Sequence, residues 1–258
     1  MTLITVQNVT KVFPPKTIAL DNVSFKIERG EMVALVGPSG SGKSTLIRTM
    51  ACLEKIDRTD NGCISLFEEL VQKNGKILSA VASIRCKMGV VFQSFNLIGR
   101  LSVEKNVLTG LLGVVPKWRG TIGFFLKRER IMALKALNRV GILNQSRQRA
   151  STLSGGQQQR AAIARTLVQE SEIIFADEPV ASLDPAAADR VMQTLSQINT
   201  EDKATVIISL HQIEYALKYC KRIIALKDGK LLFDGLATET TQEFFNALYG
   251  RKIDHDDD

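Results

Sequence analysis

A chain of 258 residues that is 45% hydrophobic and 24% charged, with a mean hydropathy of +0.02, has apolar material for one large or two small cores. No apolar run approaches the roughly 20 residues of a membrane helix. The start, Met1-Thr2-Leu3-Ile4-Thr5-Val6-Gln7, lacks the basic-then-apolar layout of a leader, so the sequence predicts a cytoplasmic protein. The net charge of +7 leaves nucleic acid or an anionic membrane face open as partners, but Lys and Arg are spread along the chain, as on an ordinary solvated surface.

Leu3 to Val12 and Val23 to Ile27 alternate apolar and polar residues, as half-exposed antiparallel strands do, and Glu28-Arg29-Gly30-Glu31 turns the chain into the apolar run Met32 to Val36. Phe13, ahead of Pro14-Pro15, lies at the edge of this β-layer, where its ring either stacks on a base or fills the core. Gly37-Pro38-Ser39-Gly40-Ser41-Gly42-Lys43-Ser44-Thr45 follows the apolar run and opens a helix. Small residues let the backbone turn its N–H groups inward onto phosphate oxygens, and the helix N-terminus adds partial positive charge. Lys43 is spaced to reach β- and γ-phosphates, and the Ser44 hydroxyl to ligate the Mg²⁺ that a nucleoside triphosphate carries.

Asn61-Gly62 marks another turn, with short strands expected at Cys63 to Phe67 and Lys76 to Leu78, and a buried strand Val90-Val91-Phe92 ending at Gln93. From about Val103 to Val140 the period becomes helical, with Ile131, Leu134 and Leu137 on one face. Trp118, Phe124 and Phe125 gather there among Lys117, Arg119, Lys127 and Arg128, either as the core of this helical insertion or as a docking surface. Helices from about Gly155 to Gln169 and Pro185 to Ile198 then alternate with strands Ile173 to Ala176 and Thr205 to Ile208, as in a parallel sheet. The strand at Ile173 ends in Asp177-Glu178. At the carboxyl end of a parallel strand these acids suit a Mg²⁺ role for Asp177 and a general-base role for Glu178, a capping pair being the plainer alternative. Asp228-Gly229 predicts a hairpin. The tail Asp254 to Asp258, with His255, is too polar to pack, and four cysteines without C-x-x-C spacing predict free thiols.

Leu153-Ser154-Gly155-Gly156-Gln157 is a second glycine-rich turn at a helix start, which Ser154 is able to cap. One nucleotide has one γ-phosphate, so two such turns imply a head-to-tail pair of chains, each closing over the nucleotide on the other. GPSGSGKST, Gln93, LSGGQQQR, Asp177-Glu178, Ser182-Leu183-Asp184 and His211, in this order, resemble the ATP-binding cassette family over Leu3 to about Gly235.

The resemblance implies an α/β fold of the P-loop NTPase class: a mixed sheet with an antiparallel β-layer and an α-helical subdomain. It would be a single domain, with residues 1–93 and 155–240 as nucleotide-binding core, 94–154 as helical subdomain and 241–258 as C-terminal extension and acidic tail. It implies ATP and Mg²⁺ as ligands, with Phe13 stacked on adenine, Ser44, Gln93 and Asp177 on Mg²⁺, and His211 on γ-phosphate. Ser154, Gly155, Gly156 and Gln157, with Asp184, would act across the pair. The implied partners are a permease docked on the helical insertion, a second copy of the chain and, indirectly, a substrate-binding protein, at the cytoplasmic face of the membrane. Val180-Ala181-Ser182-Leu183-Asp184-Pro185, Leu210-His211-Gln212, Pro116 to Gly120 and Tyr215-Ala216-Leu217 resemble the ATP-binding subunits of phosphonate importers. An exporter subunit is the nearest alternative. A nucleic-acid-linked ATPase is opposed by the short span from Lys43 to Ser154, which has no room for a long coiled coil, and a non-hydrolysing regulator by Glu178 and His211.

Overall fold

The computed structural model describes residues 1–59 and 61–250, in two compact units: residues 1–78 together with 208 onward, and residues 79–207. The acidic tail and His255 lie outside the described residues. Among these, no helix is long and apolar enough to cross a membrane.

The first unit opens with two long antiparallel strands, β1 (Thr2–Phe13) and β2 (Thr17–Glu28), paired from Thr2↔Glu28 to Phe13↔Thr17. Both run further than the alternation predicted. Gly30, at φ 77°, turns the chain into β3 (Met32–Val36), whose five residues are all buried, as a strand covered on both faces requires. Then come α1 (Lys43–Met50), β4 (Cys63–Leu66), β5 (Glu69–Lys73) and β6 (Lys76–Ile77). The antiparallel sheet runs β2-β1-β4-β5-β6. Its strand β5 escaped the sequence reading, because Glu69-Leu70-Val71-Gln72-Lys73 has only two apolar residues and buries Gln72, whose amide serves Ile56 N and the Thr49 carbonyl.

The second unit contains α2 (Val81–Ile84), β7 (Met88–Val91), α3 (Val103–Leu108), α4 (Lys117–Ile122), α5 (Lys127–Arg139), α6 (Gly155–Val168), β8 (Ile173–Asp177) and α7 (Pro185–Asp202). β9 (Thr205–Ser209) carries the chain back to the first unit. Here the strand order is β9-β8-β7, with β7 parallel to β8. The expected helical stretch from Val103 to Val140 is broken twice: Pro116 precedes α4, and Gly123, at φ 67°, ends it with Phe124 N–H donating to the Arg119 carbonyl. α3, α5 and α6 pack together. The face α5 buries is Ala133, Ala136, Leu137 and then Val140, while Ile131 is 43% exposed; small alanines let the neighbouring helix approach, which an apolar period does not register. Trp118 (63% exposed) and Phe124 (50%) stand on the surface, so they do not fill the insertion's core; Phe125 is half-buried.

On its return, the first unit adds α8 (Ile213–Tyr219), β10 (Arg222–Lys227), β11 (Lys230–Leu236) and α9 (Gln242–Tyr249). β10 lies parallel to β3 and antiparallel to β11. The β10–β11 turn is the predicted Asp228-Gly229, both at positive φ (51° and 77°). All four cysteines are free thiols, and burial pushes Cys220 up to about 12.

Candidate functional site

In the first unit the site is built from the end of β3. Gly37 has φ 148°, and a Cβ there would fall 2.1 Å from the Leu226 carbonyl oxygen, so no other residue fits. Lys43 is buried at 4% exposure, and its ammonium donates to the Gly37 carbonyl at 2.7 Å and the Pro38 carbonyl at 3.1 Å. The loop is closed from the hairpin by the Gly229 N–H, which donates to the Ser41 carbonyl at 3.2 Å. At the start of α1, Gly42 offers no side-chain cap, whereas Ser102, Ser154, Asp184 and Thr241 cap their helices. Pro38, Ser39, Gly40, Ser44 and Thr45 lie on the same turn, at a helix start whose dipole favours an anion. The buried Ser41 Oγ has no hydrogen-bond partner among the described residues. An uncapped helix start, a buried lysine and an orphaned hydroxyl fit a bound phosphate.

The same unit holds Phe13 and His211. Phe13 ends β1, half-buried, with the Lys11 ammonium 4.9 Å from its ring centroid. Leu210 N–H donates to the Leu35 carbonyl at 3.0 Å, which sets the exposed His211 beside the strand that leads to Gly37.

In the second unit, β8 ends in Asp177, buried at 5% exposure, and Glu178 follows at φ 49°, a left-handed conformation that costs a non-glycine residue of order 1 kcal/mol. β7 stops at Val91, short of the predicted Phe92, so Gln93 falls in an exposed turn. Ser154 caps α6: its hydroxyl accepts from Gln157 N–H at 3.4 Å, and the Gln157 side chain accepts the Ser154 N–H at 3.0 Å. Asp184 caps α7 through Ala187 N–H at 2.9 Å. These two helix starts meet, since a Cβ on Gly156 would lie 2.8 Å from Ala187 Cβ, and one on Gly155 3.3 Å from the Leu183 side chain. Ser154 and Asp184 both remain exposed. Asp177 and Glu178, Gln93, the 154–157 turn and Asp184 thus belong to one unit, and the 37–45 loop, Phe13 and His211 to the other.

The family model described as ABC transporter matches residues 20–181. The chain belongs to the ABC transporter family. As a member it is an ATPase coupled to transport across a membrane. It is 51% identical over 249 residues to the phosphonates import ATP-binding protein PhnC 2 of Pseudomonas savastanoi pv. phaseolicola, covering 96% of this chain and 90% of that one. With PhnC of Maricaulis maris it shares 48% over 239 residues, 93% of this chain and 90% of the relative. Among solved structures, the dimeric bacterial ABC transporter cassette MJ0796 superposes with a TM-score of 0.79 at 36% identity, over 91% of this chain and 99% of that one. A post-hydrolysis state of that cassette, bound to ADP and Pi, gives 0.76 at 35% identity over the same shares.

One residue at the cradle was not flagged by the sequence: the Tyr249 hydroxyl accepts the Gly37 N–H at 3.3 Å. The available signal was Phe245, Leu248 and Tyr249, spaced as the inner face of a C-terminal helix.

Proposed function

We propose that this chain is the ATP-hydrolysing subunit that energises import of phosphonate, or a related phosphorus oxyanion, through a membrane permease. The reading is carried by its identity of about one half, over almost the whole chain, to proteins named for phosphonates import. In this reading the chain sits at the cytoplasmic face of the membrane and does not touch the cargo.

ATP lies with its base on Phe13 and its phosphates in the 37–45 loop, where Lys43 pairs with the β- and γ-phosphates. Ser44, Gln93 and Asp177 are the oxygen donors that would hold Mg²⁺, and the ion would supply charge neutralisation. Glu178 orients and deprotonates the attacking water, which Gln93 senses, while His211 contacts the γ-phosphate. Two copies pair head to tail, so that Ser154, Gly155, Gly156, Gln157 and Asp184 of one close over the nucleotide held by the other. The exposure of Ser154 and Asp184 supports this arrangement.

The permease contact is assigned to the helical insertion. In the second unit a groove of about 390 Å³ is lined by Cys86, Phe92, Gly110, Val114 and Arg165, and by none of the residues assigned to phosphate chemistry. Shortly after Val114 the chain exposes Trp118, Ile122 and Phe124, two of them aromatic, the type enriched at interfaces.

The test is ATPase rate in a reconstituted complex of this chain, its permease and a binding protein. Phosphonate should accelerate hydrolysis in the parent complex. With Trp118→Ala and Phe125→Ala the basal rate should survive and the acceleration should not. A complex that responds instead to polar amino acids or sugars would overturn the cargo assignment.

A further inference from the structure

Tyr249 lies in the last turn of α9, beyond every motif that identifies the family. Its hydroxyl accepts the Gly37 N–H at 3.3 Å, and on the far side of the same Cα the Gly37 carbonyl accepts the Lys43 ammonium at 2.7 Å. Gly37 itself has no slack, since the Leu226 carbonyl occupies the place of a side chain. A shift of the Gly37 peptide therefore moves the carbonyl that holds Lys43.

The helix that presents Tyr249 is anchored at both ends. Thr241 caps it through Phe244 N–H at 3.1 Å, Phe244 packs on Phe233 of β11 with ring centroids 5.1 Å apart, and Phe245 and Leu248 are buried. Near its end the Lys227 ammonium donates to the Ala247 carbonyl at 3.1 Å. The Tyr249 ring is only half-buried, and it borders a cavity of about 520 Å³ whose other wall includes His211, Gln212 and Leu217. Burial raises the phenol's pKa, against a smaller lowering by the Gly37 hydrogen bond, so it stays neutral at physiological pH.

We propose that Tyr249 is a positioning residue for the phosphate cradle: its hydroxyl fixes the Gly37 peptide, and through it the point from which Lys43 meets the β- and γ-phosphates. Tyr249 touches no substrate. The proposal rests on the chain's ATPase activity and not on the identity of the cargo.

Tyr249→Phe keeps the ring and the helix and removes only the acceptor. Losing one hydrogen bond of ordinary strength should raise KM and the equilibrium Kd for Mg-ATP about three- to tenfold. kcat should stay within about twofold, because Lys43 holds the phosphates in ground and transition states alike. Lys227→Met, which loosens α9 but leaves the hydroxyl, should lower the melting temperature and leave KM unchanged. An unchanged KM in Tyr249→Phe overturns the proposal. So does an equal rise in KM in Lys227→Met, because α9 as a whole and not the hydroxyl would then govern the cradle. Hydrolysis by the parent chain, measured alongside, tests the ATPase reading separately.

Discussion

The Arg119 guanidinium and the Glu129 carboxylate form a two-pronged ion pair, at 3.0 and 2.9 Å, with both side chains under 10% exposed. Glu129 also accepts the Leu126 N–H at 2.7 Å, so one carboxylate ties α4 to the start of α5, while Trp118 on α4 and Phe124 just after it stand exposed.

Breaking this pair should loosen the insertion. Glu129→Gln leaves Arg119 covered without a counter-charge, and should cost about 1–3 kcal/mol in denaturant unfolding at neutral pH. The Arg119 hydrogen bonds, followed by the Leu126 N–H and against an opposing effect of burial, hold the Glu129 carboxyl below its ordinary value of 4.5. A carboxyl lowered by folding stabilises above its unfolded value and loses that contribution as pH falls through its folded one. The parent should therefore lose insertion stability below about pH 4, and Glu129→Gln should lose less over the same window, as read by denaturant midpoints at pH 7 and below 4.

Glu178→Gln removes the proposed base and leaves Lys43, Ser44 and Asp177 for nucleotide. ATP binding should persist, dimers should accumulate with ATP, and steady-state hydrolysis should fall by roughly 10²-fold or more. A rate within about tenfold of the parent would assign the base elsewhere.

Phe13→Ala should raise KM for ATP about tenfold, with kcat preserved, because a stacked base gains equally in ground and transition states. Phe13 is half-buried at the end of its strand. If the ring were instead a core element, the variant would show a lowered melting temperature at unchanged KM.

Gln159 on α6 is fully buried, and neither its amide oxygen nor its nitrogen has a hydrogen-bond partner among the described residues. An unsatisfied amide costs about 1–3 kcal/mol, and methionine has a similar shape without that demand. Gln159→Met should therefore raise stability in denaturant titrations. A loss of stability instead would show that the amide is satisfied by ordered water.

The sequence by itself determined the parts whose function is written in local backbone. A loop with Gly37 at φ 148° admits one residue type, and a two-residue turn at positive φ selects Asp228-Gly229. A helix start capped by Ser154 with Gln157 needs only neighbours in the chain. Such signals are legible because their steric and hydrogen-bonding demands are met within a few residues. Tertiary structure decided what depends on who comes close. The face of α5 that is buried carries Ala133 and Ala136 rather than Ile131, because small side chains admit a neighbouring helix and periodicity weighs only apolarity. Trp118 and Phe124 stand on a surface, while the residues the insertion buries beside them are an ion pair ten apart, Arg119 and Glu129. The contact of Tyr249 with Gly37 joins residues 212 apart, through a helix whose place is set by packing against β10 and β11. No stretch of the chain records that contact, since neither partner needs the other until the fold has brought the helix that carries Tyr249 back to the loop after β3.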